Sequence, residues 1–275
     1  MPQDANLNST ADTHDGKHSP TGHVARGLYS GATAEMVEGL RREFFDETLE
    51  RLQVLESNVI DQLGEIREFF FQTRGQAHNF DLPLLEVVCR QAENYLSAVT
   101  ELDERRQLDV RRYLDAATDI LEGTISPDTD PAQLVRTLPG RVSDSFSPDQ
   151  IEIREVEVML VMHHNAQTHF IEREVQACGY RVTIVTDTLE ALAHATRTKP
   201  DFMIVSAVMP GLSGIDLVMG LCHMPETRNI PLALITSLPP NSDWLRVLPE
   251  GIPVIRKGPT FGDDLANALN EAFLL

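Results

Sequence analysis

The sequence predicts two folds in one chain, α/β plus all-α. The N-terminal half reads as an antiparallel helical bundle, and the C-terminal half as a five-stranded parallel sheet with helices on both faces. Three observations carry this. Apolar residues recur at three- and four-residue steps from Thr33 to about Gly123. Residues 124–150 are polar and broken by Ser126-Pro127, Asp130-Pro131, Pro139-Gly140 and Ser147-Pro148. Beyond them, apolar runs of strand length alternate with helical stretches, the pattern of an open parallel sheet. The domains expected are a disordered tail at 1–32, the bundle at 33–123, a linker at 124–152 and the α/β domain at 153–275.

The first thirty residues are rich in Asp, Asn, Ser, Thr, Gly and His and almost free of large apolar side chains, which predicts a solvated tail. His14, His18 and His23 fall within it. Thr33 opens a first helix through Met36, Val37, Leu40, Phe44, Phe45, Leu49, Leu52, Leu55 and Val59. Leu63–Asn79 continues the period with Ile66, Phe69, Phe70 and Thr73. Asp81 reads as an N-cap with Pro83 in the first turn of a third helix that runs to about Val99. A fourth helix runs from Asp103 to a stop at Gly123. A short helix around Ala132–Leu138 interrupts the linker.

The strands expected next are Val156–Met162, Tyr180–Val185, Asp201–Ser206, Ile230–Thr236 and Ile252–Ile255. Helices are expected at Gln167–Cys178, Leu189–Thr196, Gly214–Cys222, Asn241–Leu248 and Phe261–Leu274. In such sheets the site lies at the carboxyl ends of the strands.

Composition excludes several functions. The net charge is -19, from 42 acidic and 23 basic side chains, and only Lys17, Lys199 and Lys257 are lysines. Phosphate backbones and anionic membrane surfaces require clustered cations, so neither nucleic acid nor membrane is expected as a partner. Cys89, Cys178 and Cys222 form no CxxC pattern, which fits buried thiols in a reducing compartment. No apolar run reaches the ~18 residues of a membrane span. A cytoplasmic protein without a cofactor is expected.

The clearest motif is Met209-Pro210-Gly211 followed by Gly214, in "SAVMPGLSG" after the third strand. Thr236 ends the fourth strand in "PLALITS", and Lys257 follows the fifth in "VIRKGP". On these residues, about 155–275 resembles the receiver domain of bacterial response regulators, a CheY-like flavodoxin fold. The resemblance implies a phosphorylated aspartate four residues before Pro210, where this chain has Ser206. It implies two acidic magnesium ligands after the first strand, where this chain has His163 and His164. The aromatic switch position is Val254. Transfer of a phosphoryl group to an acyl oxygen needs a carboxylate nucleophile and a hard cation. Ser206 offers no carboxylate, and two imidazoles are poor magnesium ligands. The acceptor and metal positions are therefore read as degenerate, while Thr236, Lys257, Met209, Pro210 and Gly211 are retained.

In the helical half, Arg74-Gly75 and "CRQAEN" at Cys89–Asn94 resemble a histidine phosphotransfer domain. The phospho-accepting position three residues before Arg74 is then Phe71, which cannot carry phosphate. His78 lies seven residues beyond Phe71, about two helical turns, and is a displaced acceptor candidate. Phe69, Phe70 and Phe71 cannot all face one core, because successive helical residues diverge by about 100°. With Arg74 they form the candidate interface.

These residues support three functions. The first is a non-catalytic adaptor that acts by protein–protein interaction in a two-component or phosphorelay pathway. Its implied partners are a histidine kinase, a phosphotransferase or a response regulator, with a homodimer through the helical domain. The second is a phosphotransfer intermediate using His78, His163 or His164. The third is a small-ligand or metal sensor in the modified pocket, for which Ser206 with His164 as base is a further pairing to examine.

Overall fold

The computed structural model describes residues 31–60, 62–141 and 155–273. The expected tail up to Ser30, with His14, His18 and His23, lies outside them, as do residues 142–154. Two compact units make up the chain, Met1–Glu43 and Phe44–Leu275. In the first, the described part is the leading half of helix α1 (Gly31–Ser57), where Met36, Val37 and Leu40 are exposed.

In the second unit α1 is followed by α2 (Leu63–Asn79), α3 (Pro83–Leu96) and α4 (Glu104–Glu122). Their apolar stripes form one core: Leu52 and Leu55 from α1, Ile66, Phe69 and Phe70 from α2, Leu85, Val88 and Ala92 from α3, and Val110, Tyr113 and Leu114 from α4. The Asp103 carboxylate accepts the Arg106 N–H at 2.7 Å and so caps α4, and Gly123 closes it at φ 79°. The expected cap at Asp81 is not formed. Leu82 is the N-cap residue of α3, and Asp81 takes φ 55°. The three-residue turn from Phe80 to Leu82 needs a left-handed backbone there, which an Asp tolerates better than most residues.

Helix α5 (Pro131–Thr137) lies within the stretch expected as a linker, and Ala132, Leu134 and Val135 are buried. Asp130 accepts the Ala132 N–H at 2.9 Å, and Pro131 takes the first position, where its missing N–H costs nothing.

The α/β part runs β1 (Glu157–Val161), α6 (Ala166–Ala177), β2 (Arg181–Val185), α7 (Thr188–Thr198), β3 (Phe202–Ser206), α8 (Gly214–His223), β4 (Leu232–Thr236), β5 (Val254–Arg256) and α9 (Phe261–Phe273). The strands are all parallel in the order β2-β1-β3-β4-β5, the order of flavodoxin and CheY. β1 to β4 are buried along their whole length, which is why they read as unbroken apolar runs. Alternate residues supply two cores. Val158, Leu160 and Ile204 pack with Ile171, Leu265 and Leu269, while Met159, Val161 and Val205 pack with Ala191, Val218 and Leu221. The helix expected at 241–248 is only a 3-10 turn, Asp243–Leu245. Leu245 and Leu248, three residues apart, lie against the second of these cores, a spacing that matches a 3-10 turn.

Polar contacts join the helices to the edge of the sheet. On β2, Asn94 of α3 donates to the Val182 carbonyl at 3.2 Å and accepts the Ile184 N–H at 3.0 Å. The Gln91 amide accepts from the Thr183 hydroxyl at 3.2 Å and donates toward His194 Nε2 at 3.4 Å. Arg141 and Glu172 pair at 2.6 Å with both side chains 4% exposed. Arg181 pairs with Glu157 at 2.6 Å and donates to the Val135 carbonyl at 2.9 Å. No described helix is long and apolar enough to cross a membrane.

Candidate functional site

The carboxyl ends of β1, β3, β4 and β5 surround a cavity of about 230 Å³. Its chemistry follows from where each strand stops. β1 ends at Val161, so His163 and His164 lie in the loop beyond it and both are exposed. Asn165 caps α6, its Oδ1 accepting the N–H groups of Gln167 at 2.9 Å and Thr168 at 3.0 Å. The Thr168 hydroxyl donates to the His163 carbonyl and pins the loop. His163 lines the cavity; His164 does not. The His164 ring instead faces that of His169, with centroids 6.5 Å apart. Partial desolvation of the ring first, then the nearby charges of Arg141 and His169, hold the His164 pKa below the ordinary imidazole value. The two histidines are therefore not brought together as a ligand pair.

At the end of β3, Ser206 is 8% exposed and its hydroxyl donates to the Val208 carbonyl at 3.3 Å. No hydrogen bond joins it to His164 among the described residues, so the serine–histidine pairing is not formed. The "SAVMPGLSG" turn is held by backbone geometry. Gly211 has φ 71°, and Met209 is buried while Pro210 is exposed. Gly214 N–H donates to the Ala207 carbonyl at 3.1 Å, and a Cβ on Gly214 would lie 1.8 Å from the Ser206 carbonyl oxygen. Only glycine fits there.

Thr236, 2% exposed, accepts the Leu238 N–H on its hydroxyl at 3.0 Å. Its carbonyl accepts the Lys257 N–H at 3.0 Å, which fixes the backbone that carries Lys257 into the lining. Sequence reasoning found His163, Ser206, Thr236 and Lys257 but missed Asn165, Gln167, Thr168, Val208 and Ser237; Met162, Ile171 and Ile235 complete the wall. Of those missed, Asn165 carried a readable signal, an Asn immediately before a helical period.

No carboxylate lines the cavity, and no group of three His, Cys, Asp or Glu able to hold a metal occurs among the described residues. Magnesium prefers carboxylates and water, so this wall does not fit the ion that the receiver fold implies. Its titratable members are His163 and Lys257, both able to carry positive charge.

The helical candidates separate in the same way. Phe69 and Phe70 are fully buried, so their expected place in an interface is corrected: both belong to the bundle core, where Phe70 meets the Tyr113 ring at 6.4 Å. Phe71 alone of the three faces outward, 64% exposed. The Arg74 guanidinium lies 5.9 Å from the Phe71 ring centre and pairs with Glu93 at 2.7 Å and with Glu190 of α7 at 3.3 Å. His78 is exposed and lies 3.5 Å from Glu86.

No protein-family model matches the chain. It is 33% identical over 94 residues to the response regulator PleD of Caulobacter vibrioides, a stretch that is 34% of this chain and 21% of PleD. It is 27% identical over 90 residues to the polar-differentiation response regulator DivK of Brucella anthropi, which is 33% of this chain and 73% of DivK. The chain thus spans about a fifth of the length of PleD. Among solved structures, the chemotaxis response regulator CheY4 of Vibrio cholerae is matched over 42% of this chain and 98% of its own, with 22% identity and a TM-score of 0.37. The strand order, with the similarity to PleD and DivK, supports a receiver domain of the response-regulator kind.

Proposed function

We propose that this chain is a non-catalytic, phosphorylation-independent adaptor in a two-component or phosphorelay pathway. Its implied partner is a histidine kinase, a phosphotransferase or a response regulator, engaged through surface contacts. The observation that carries this reading is the wall of the strand-end cavity, which contains no carboxylate. An acyl phosphate needs a carboxylate to accept it, and a divalent cation to offset its charge needs oxygen ligands of the same kind. Ser206 and His163 supply neither. Phe71, on the exposed face of α2, has no atom that can accept phosphate, and Arg74 beside it is engaged by Glu190.

The test is incubation with acyl-phosphate and phosphohistidine donors, with labelling followed by mass spectrometry. The adaptor reading expects no stable label. Label that resists alkali and disappears in His78→Ala would establish the phosphotransfer reading in its place.

A further inference from the structure

Two outward-facing features of the helical half are complementary in charge. The first is a groove of about 380 Å³, lined by Glu50, Arg51, Val54 and Leu55 of α1 and by Glu65 and Glu68 of α2. Val54, 55% exposed, is an apolar residue in this lining. The Arg51 guanidinium is already engaged, donating to Gln72 Oε1 at 3.1 Å and lying 5.2 Å from the Phe69 ring centre. Glu50 and Glu65 make no ion pair among the described residues. The groove therefore presents net negative charge around an exposed apolar residue.

The second feature is on α4. Arg105, Leu108 and Arg112 recur at steps of three and four and are all exposed, Leu108 by 63%. Neither Arg105 nor Arg112 makes an ion pair among the described residues. The opposite face of α4 carries Val110, Tyr113, Leu114 and Ala117 into the bundle core. The stripe thus points away from its own chain, with one apolar anchor between two guanidiniums over about 10 Å of helix.

We propose that a second copy of this chain seats its Arg105–Leu108–Arg112 stripe in the α1–α2 groove, so that the protein self-associates through its helical half. Leu108 covers Val54, and the two arginines meet Glu50, Glu65 and Glu68. This is helix-in-groove recognition with anchors at i, i+3 and i+7. The contact joins different surfaces of the two copies, the head-to-tail kind that adds copy to copy unless the rotation closes it into a ring. One helix in one groove falls short of the roughly 1,200–2,000 Å² of a standard stable interface, so the association is weak and rises with concentration. The inference is independent of the adaptor reading, since phosphate labelling and self-association are read by different experiments.

Sedimentation velocity of the full chain, from about 1 to 100 μM at low and high salt, tests it. The expected result is a sedimentation coefficient that rises with concentration and falls when salt is added. Leu108→Glu and Val54→Glu each weaken association at least about tenfold, a loss of ~1.4 kcal/mol. Glu65→Lys with Glu68→Lys abolishes it, and adding Arg105→Glu with Arg112→Glu to the same chain restores it. Circular dichroism confirms that each variant is folded. A wild type that stays single across the range overturns the proposal. So does association indifferent to Leu108→Glu and Val54→Glu, or a folded quadruple variant that is not restored.

Discussion

The side-chain amide of Asn94 bonds to Ile184 as a neighbouring strand would, accepting its N–H at 3.0 Å while donating to the Val182 carbonyl at 3.2 Å. β2 is an edge strand, and these main-chain groups have no partner strand on that side. Asn94→Ala leaves one donor and one acceptor unpaired at a buried junction, a cost of about 1–3 kcal/mol for each such group. Urea unfolding should show a lower midpoint for Asn94→Ala. An unchanged midpoint would mean that water replaces the amide without loss.

A second prediction concerns the Arg141–Glu172 pair, 2.6 Å apart with each side chain 4% exposed. Burial lowers the Arg141 pKa and Glu172 opposes that shift. Removing one partner strands a buried charge at a cost of about 3–5 kcal/mol. Arg141→Leu and Glu172→Leu are each expected to be severely destabilising, and the double variant markedly less so than the sum. A double-mutant cycle by denaturant unfolding gives the coupling, and strict additivity would contradict it.

His194 sets a pH dependence. It is 7% exposed, and burial first, then the charges of Arg90 and Arg197, lower its pKa to about 3. Below the ordinary imidazole pKa of about 6.5 the unfolded chain takes up a proton that the folded chain refuses until near pH 3. His194 therefore makes the folded state lose stability as pH falls through that window, by up to about 1.4 kcal/mol per pH unit. His194→Gln should flatten the acid limb of a plot of melting temperature against pH; a limb of unchanged slope would assign it to other groups.

The cavity wall predicts the response to magnesium. The wild type should show no rise in melting temperature with added Mg²⁺, because nothing in the wall suits the ion. His163→Asp with Ser206→Asp supplies two carboxylates at that wall. At ten times its dissociation constant, Mg²⁺ should then stabilise the variant by about 1.4 kcal/mol. A wild type that Mg²⁺ stabilises would overturn the reading of the pocket.

The sheet was legible because β1 to β4 are buried on both faces, so each appears as an apolar run with boundaries correct to within two residues. Ser206 and Thr236 end two of these strands and were found with them, whereas Lys257 follows the only partly buried β5 and was reached through the receiver resemblance. Periodicity could not show which of Phe69, Phe70 and Phe71 faces out. Nor could it show that His164 turns toward His169, a choice made by the loop beyond β1. Least visible were the contacts of Asn94, Gln91 and Arg141, polar residues whose partners on β2 and α6 lie 31 to 92 positions away along the chain. Nothing local marks such residues as buried.

The covering of β2 has a consequence for how the protein behaves in concentrated solution. A five-stranded open sheet has two rims, and an exposed rim is a template on which another chain can add a strand. Here one rim is β2, capped by Asn94, and the other is β5, only three residues long with Pro253 just before it and Pro259 close behind. Cutting away the helices would uncap the longer rim. The excised sheet should then precipitate or form fibrils under conditions where the whole chain stays clear.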